Sequence, residues 1–354
     1  MRDRLLPTLL AAVFAFGCTS KEFQGGGSSG APSGGSAGSA GAAGSGAGGR
    51  GGAGGNVTGG SAGTPGCTCA PTEYCRGGEC LACAELSSLD FGPPELLLDD
   101  PQMPLRFPRP ADTPGSLFYR AGAEGMARIF HTPNTSMLGA LAGNPDVTQQ
   151  SGALFVAALD RGYNVIFDEI NQGTRTARAA SWNGATLGSQ MEMPPPLSPG
   201  GFEDYSVAAA TASGRLFWMS SRDLERRLRT GVVETGDGVA VTLDVPKRAG
   251  SGTCEWFGND ATPWVTPDGR RMLFRSFPLD DACQPLDSDT TDLFVVPLEP
   301  MSGTPSSDAI ALASLNEVGF TDTDPSLSPD LCTLYFASDR GSPSDFKLYR
   351  ARRR

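Results

Sequence analysis

Residues 84–354 predict an all-β fold, a β-propeller assembled from repeated small sheets. Three observations carry that expectation. A strand core centred on Phe recurs at Leu117-Phe118, Ile166-Phe167, Leu216-Phe217, Leu273-Phe274 and Tyr335-Phe336. A period of about 40 to 60 residues in a strand-rich chain is the signature of propeller blades. The best copies place a tight turn before that strand. Short second strands then follow, DLFVV at 292–296 and FKLYR at 346–350.

The turns justify themselves locally. In one copy, ATPWVTPDGRRMLFRSF at 261–277, Pro267 presets φ, Asp268 caps the turn and Gly269 accepts a positive φ. The strand that follows alternates, with Met272, Phe274 and Ser276 on one face and Leu273 and Arg275 on the other. A second copy, DPSLSPDLCTLYFASDR, runs over 324–340; a weaker third covers 204–222.

The N-terminus reads as an export signal. Arg2 and Arg4 precede an apolar stretch from Leu5 to Gly17, too short to anchor a protein by spanning a bilayer. The run Ala15-Phe16-Gly17-Cys18 resembles the lipobox of bacterial lipoproteins. That resemblance implies removal of residues 1–17, lipidation of Cys18 and anchorage in the cell envelope. Thr19 after the Cys resembles lipoproteins sorted to an outer membrane. The stretch from Gly25 to Gly66 is almost entirely Gly, Ser and Ala, and cannot bury enough apolar area to offset backbone ordering. Residues 18–66 are therefore expected to be a lipidated N-terminus and disordered tether, in which the stretch from Gly25 to Gly66 has an r.m.s. span of roughly 35 Å. Two Gly-x-Ser-x-Gly matches in the tether, at 34–38 and 59–63, follow from composition and have no strand before them.

Cys67, Cys69, Cys75, Cys80 and Cys83 crowd into residues 67–83. Zinc is one reading, since Cys80 and Cys83 make a C-x2-C knuckle. Disulfides are the preferred one, because an exported compartment is oxidising and so short a segment has no core of its own. With Cys18 lipidated, eight Cys remain, five here and Cys254, Cys283 and Cys332 later. An odd number on each side requires at least one bridge between module and main domain. Cys254 with Cys283, and Cys83 with Cys332, are the expected pairs.

The final repeat carries a family resemblance. Pro325, Ser328, Pro329, Asp330, Leu334, Phe336, Ser338, Asp339, Arg340, Asp345, Leu348 and Tyr349 together resemble the WD40-like propeller repeat of TolB-type periplasmic proteins. The resemblance is close at 324–350, good at 261–296, and degenerate near 118 and 167. It implies six blades, the sixth drawn from the stretch around Leu96 to Phe107, and closure of the ring by an N-terminal strand. A bridge from Cys83 to Cys332 would staple that closure. It also implies an envelope protein as partner; a glycan is the other expected partner.

Composition weighs against chemistry. A net charge of −11 argues against nucleic acid as a partner. His131 is the one His, so a His-based general base or metal site has a single candidate. Asp287, Asp289 and Asp292, with Asp280 and Asp281, form an acidic loop in which calcium is the weaker reading beside a solvated turn. Asp339 with Arg340 reads as a structural pair, Trp182, Trp218, Trp256 and Trp264 as core more than as a sugar platform, and Arg352-Arg353-Arg354 as a frayed tail. The expectation is a monomeric, membrane-tethered binding protein without catalysis or cofactor. A propeller-type enzyme (hydrolase, lyase or sugar dehydrogenase) and a purely structural surface protein are the rivals.

Overall fold

In this computed structural model, the described residues are 73–76, 79–83, 89–111, 115–123, 127–135, 165–171, 174–193, 204–210, 215–220, 227–232, 241–242, 260–280, 282, 284–286 and 290–354. The chain divides into two units, Met1–Ser61 and Ala62–Arg354, and every described residue lies in the second. The signal sequence, Cys18, the tether, Cys67, Cys69, Cys254, Cys283, Asp287 and Asp289 lie outside the described residues.

All the described regular structure is β. Strands β1 (Glu73–Arg76) and β2 (Glu79–Ala82) form a hairpin in which Cys75 and Cys80 are register partners. A short strand follows, β3 (Glu95–Leu98). The first sheet is β4 (Leu105–Pro110), β5 (Leu117–Ala121) and β6 (Arg128–Thr132). The second is β7 (Val165–Asn171), β8 (Thr174–Trp182) and β9 (Leu187–Glu192). The third is β10 (Asp204–Ala210), β11 (Arg215–Ser220), β12 (Arg227–Val232) and β13 (Val241–Thr242). The fourth is β14 (Ala261–Val265), β15 (Arg271–Ser276), β16 (Asp292–Pro297) and β17 (Ile310–Ala311). The fifth is β18 (Asp322–Leu327), β19 (Thr333–Ser338) and β20 (Lys347–Arg352), completed at its edge by β3.

Five apolar clusters join these sheets in cyclic order. Phe118 and Ile129 meet Val165 and Phe167 between the first and second sheets. Ile166 and Ala177 meet Leu216 and Trp218 between the second and third. Phe217 and Met219 meet Phe274 and Val296, and Leu273 and Leu293 meet Phe336 and Leu334. Tyr335 and Leu348 of the fifth sheet return to Leu117 and Tyr119 of the first. Each sheet is thus apolar on both faces, which is why the middle strands read as near-continuous hydrophobic runs.

Two sequence expectations are corrected. The stretch from Leu96 to Phe107 is not a sheet of its own: it supplies β3 to the fifth sheet and the start of β4 to the first, and the described residues outside the β1–β2 hairpin form five sheets. The Phe alignment is also one residue out of step in two places. Arg106 opposes Arg120 as Thr323 opposes Ala337, so Tyr119 of the first sheet takes the place of Phe336. By the same logic Asp204 opposes Ser220 as Asp322 opposes Ser338, so Trp218 of the third sheet takes that place. A one-residue slip moves a side chain to the other face of a strand, so Phe118 and Phe217 face the next sheet, whereas Phe274 and Phe336 face the preceding one.

The two Pro-Asp turns are built alike. Thr266 Oγ1 donates to Asp268 Oδ1 at 2.6 Å, which also accepts the Arg270 N–H at 3.0 Å, and the Arg271 N–H donates to Thr266 Oγ1 at 3.1 Å. In the fifth sheet Ser328 Oγ donates to Asp330 Oδ1, the Cys332 N–H reaches the same oxygen at 3.0 Å, and the Thr333 N–H reaches Ser328 Oγ at 2.9 Å. Gly269, at φ +72°, and Leu331, at φ +61°, hold the left-handed position. The Gly adopts it without a Cβ penalty; the Leu does so with its side chain buried in the cluster between the fourth and fifth sheets.

Cys83 and Cys332 form a disulfide with a Cα–Cα distance of 5.0 Å. Cys332 follows the Asp330 turn, so the bridge fastens the N-terminal segment to the same sheet that β3 completes. The C-terminal arginines are part of this fastening, a further correction. Arg353 is buried; its backbone N–H donates to the Cys332 carbonyl at 2.9 Å and its Nη1 to the Cys83 carbonyl. Arg354 N–H donates to the Asp90 carbonyl at 3.0 Å.

Candidate functional site

The polar groups most distinctive of this fold gather on the first strands of the sheets. Strands β4, β14 and β18 share an irregularity, a register shift between Arg106 and Arg109, between Ala261 and Trp264, and between Thr323 and Ser326. At its heart sits a residue–proline pair: Phe107-Pro108, Thr262-Pro263 and Asp324-Pro325. Phe107, Thr262 and Asp324 have φ of +52°, +51° and +57°. Left-handed non-Gly residues cost of order 1 kcal/mol or more and persist where the surroundings over-determine them. The proline removes one ladder donor, which fits a bulge better than a regular pair.

In the fifth sheet the left-handed residue carries a charge. Asp324 is fully buried, and Arg106 Nε of the first sheet donates to its Oδ2 at 2.6 Å. The Phe107 N–H reaches the same oxygen at 3.2 Å, and Thr323 Oγ1 donates to Oδ1 at 3.0 Å. Arg109, also buried, donates from Nη1 to the Asp324 carbonyl at 3.2 Å and to the Pro325 carbonyl at 3.0 Å. Ser326 Oγ returns to the Pro108 carbonyl at 2.6 Å. Arg106 is further held between the rings of Phe107 and Phe346, 5.2 and 4.3 Å from their centroids. Burial pushes the Asp324 carboxyl upward, but the guanidinium groups of Arg106, Arg275 and Arg109 outweigh it and hold the group below the usual carboxylate range. Burial lowers Arg109 to about 10, opposed by Asp324. These groups therefore keep their charges at neutral pH and tie the fifth sheet to the first.

A second ion pair lies within the fifth sheet, on the face that meets the fourth. Arg340 Nη2 donates to Asp322 Oδ1 at 2.6 Å and to the Leu315 carbonyl at 2.6 Å, and its guanidinium lies over Phe336 and Tyr349. The expected pairing of Asp339 with Arg340 is replaced by separate partners, since the Asp339 carboxylate accepts the Thr321 and Ser344 N–H groups at 2.7 and 3.0 Å. Asp292, one of the calcium candidates, begins β16 beside that ion pair. Burial and the neighbouring Asp322 raise it to about 6. Asp280 turns inward on its own loop, its Oδ1 accepting the Ala282 and Gln284 N–H groups. Among the described residues no group of three or more His, Cys, Asp and Glu side chains is placed to hold a metal ion.

His131, the single candidate base, lies on β6 in the seam between the first and second sheets. Its Nε2 is 2.7 Å from Ser116 Oγ, and its ring packs 4.7 Å from Phe118 and 4.8 Å from Trp182. Ser116 and His131 are each 5% exposed, so this Ser–His pair is packed inside a seam. Burial alone depresses the His131 pKa from its ordinary 6.5. Trp218 is buried in the seam between the second and third sheets, Trp264 packs in the cluster between the fourth and fifth, and Trp256 lies outside the described residues.

The inner-strand residues Arg106, Arg109 and Asp324 were not singled out from the sequence, yet a signal existed. Pro108, Pro263 and Pro325 each stand at the same offset before a matching position, Ser116, Arg271 or Thr333, whose carbonyl closes the same turn.

No family model matches the chain, and no curated protein matches it in sequence. Among solved structures, TolB from Acinetobacter baumannii is similar over 70% of this chain and 54% of its own, at 11% identity and a TM-score of 0.43. The chain thus spans about half the length of that protein. An α-L-arabinofuranosidase from Podospora anserina, in complex with cellotriose, is similar over 75% of this chain and 97% of its own, at 11% identity and a TM-score of 0.47. The β-propeller domain of the Trilobed protease from Pyrococcus furiosus is similar over 70% and 68%, at 11% identity and a TM-score of 0.33. Likenesses at this level transfer no activity. Among the described residues, five small antiparallel sheets pack face to face in cyclic order.

Proposed function

We propose that the chain is an exported lipoprotein that displays a β-propeller as a rigid, non-catalytic binding scaffold for an envelope protein or glycan. Cys18 carries the lipid, residues 19–66 are the tether, and the propeller acts as a monomer in the cell envelope, on an outer membrane. The observation that supports this best is the way the ring is fastened. The disulfide from Cys83 to Cys332 suits an oxidising compartment, and it joins the segment before β3 to the fifth sheet. A rigid ring presents its connecting loops as recognition surfaces on a stable frame. Arg106 and Asp324 pair across a seam and Arg340 pairs with Asp322 beside another, which favours a scaffold over a reaction centre.

Two experiments test it. Cys18→Ala is expected to move the protein from the membrane pellet to the soluble fraction and abolish acyl labelling; unchanged partition removes the lipid anchor. Affinity capture with the tethered propeller is expected to recover one stoichiometric envelope partner or glycan. Turnover of any member of a panel of arabinosides, other glycosides and peptides by the purified protein would overturn the non-catalytic assignment.

A further inference from the structure

We infer that the seam between the first and second sheets is an acid-sensitive latch whose trigger is His131. The geometry places the chain's one histidine ring between aromatic groups of two sheets, Phe118 on the first and Trp182 on the second, with Ser116 occupying Nε2. Those rings meet one another as well, Phe118 and Trp182 being 4.9 Å apart and nearly perpendicular. A neutral imidazole completes this apolar contact. A protonated one places a full charge where burial is its principal influence, and the group sheds that penalty when the seam opens to water.

The charged neighbours reinforce the direction. On β5, Arg120 shares the seam-facing side with Phe118, two residues away; on β8, Arg178 shares it with Ala180. Both are cations and neither favours a second positive charge. On β9, Glu192 opposes Arg178 in register and is exposed. His131 itself has no carboxylate partner among the described residues. The described apolar cluster of this seam is Ala111, Phe118, Ile129, Val165, Phe167 and Ala180, with Trp182 and Leu187 packed against it. Opening it separates the second sheet from the first while the bridge from Cys83 to Cys332 keeps the N-terminal segment on the fifth sheet.

Asp292 makes the latch local. Protonating Asp292 as pH falls through about 6 relieves its repulsion from Asp322 and tightens the seam between the fourth and fifth sheets. Acidification thus weakens one seam and strengthens another, so global melting alone under-reports the effect.

The test is amide hydrogen exchange on the purified full-length protein at pH 7.5 and 5.5, expressed as protection relative to the intrinsic rate. A proton NMR titration of the sole histidine accompanies it. Protection of Phe118 and Ala180 is expected to fall severalfold at pH 5.5 while Phe217 and Phe274 are unchanged, and the histidine midpoint is expected below 6.5. In His131→Gln the loss at Phe118 and Ala180 is expected to vanish. A midpoint at or above 6.5 overturns the inference, as does equal acid loss in His131→Gln or equal loss at all four amides. The wild-type titration and exchange remain decisive if His131→Gln does not fold.

Discussion

Replacing Arg106 by Met is the sharpest test of how the fifth sheet is held to the first. The substitution keeps the aliphatic stem between Phe107 and Phe346 but removes the guanidinium 2.6 Å from Asp324. Asp324 has no solvent exposure, so its carboxylate is left inside with the Phe107 N–H and Thr323 Oγ1 and the more distant fields of Arg275 and Arg109. Breaking a buried pair from one side costs about 3–5 kcal/mol, and the surviving partners put this case at about 3 kcal/mol. That is a large part of a typical stability of about 5–15 kcal/mol. Adding Asp324→Asn is expected to recover about 1 kcal/mol or more, since the penalty of an unpaired buried charge is removed. An amide needs no counter-charge, still accepts the Phe107 N–H, and tolerates the φ of +57° better than most residues. Urea unfolding of the wild type, both single variants and the double variant gives the coupling directly. The acid limb supplies a second readout. Asp324 titrates below its unfolded value, so it contributes stability above pH 3.8 that is lost as pH falls through the native value. Without Arg106, burial dominates and the loss is expected to begin at higher pH. A cost for Arg106→Met no greater than that of an ordinary surface substitution, about 0.5 kcal/mol, would refute the clasp. So would the absence of recovery in the double variant.

Three further outcomes are expected. Cys332→Ser removes the link across 249 residues and is expected to cost about 2–4 kcal/mol by chemical denaturation, with new proteolysis before β3. Gly303→Ala is expected to cost about 2 kcal/mol in the same assay. Its φ is +71°, and the added Cβ would lie 2.7 Å from Arg215 Cδ and 3.1 Å from Phe217 Cζ. Asp292→Asn is expected to stabilise the protein at pH 7.5. In the wild type the native state holds this proton up to about pH 6 and the unfolded state releases it near 3.8, so stability falls as pH rises across that window. The variant should lose that slope, and an unchanged slope would remove Asp292 as its source.

Features set by neighbouring residues were legible in the chain itself. A proline, a capping carboxylate and a residue that accepts positive φ specify a turn within a few positions, so the turns at Asp268 and Asp330 could be read directly. So could the all-β class, since the apolar runs that follow those turns repeat at the length of a blade. Parity of the cysteines, together with the need to close the ring, pointed to Cys83 and Cys332. Which residues face which sheet emerges only from the assembled ring. Phe118 and Phe217 looked equivalent to Phe274 and Phe336 because identity was matched, but facing is set by register with the neighbouring strand, which a one-residue shift reverses. The pairing of β3 with β20, and of Arg106 with Asp324, joins segments more than 200 residues apart in the sequence. Contacts of that range leave no local pattern, because they exist only once the intervening sheets have turned the chain back on itself.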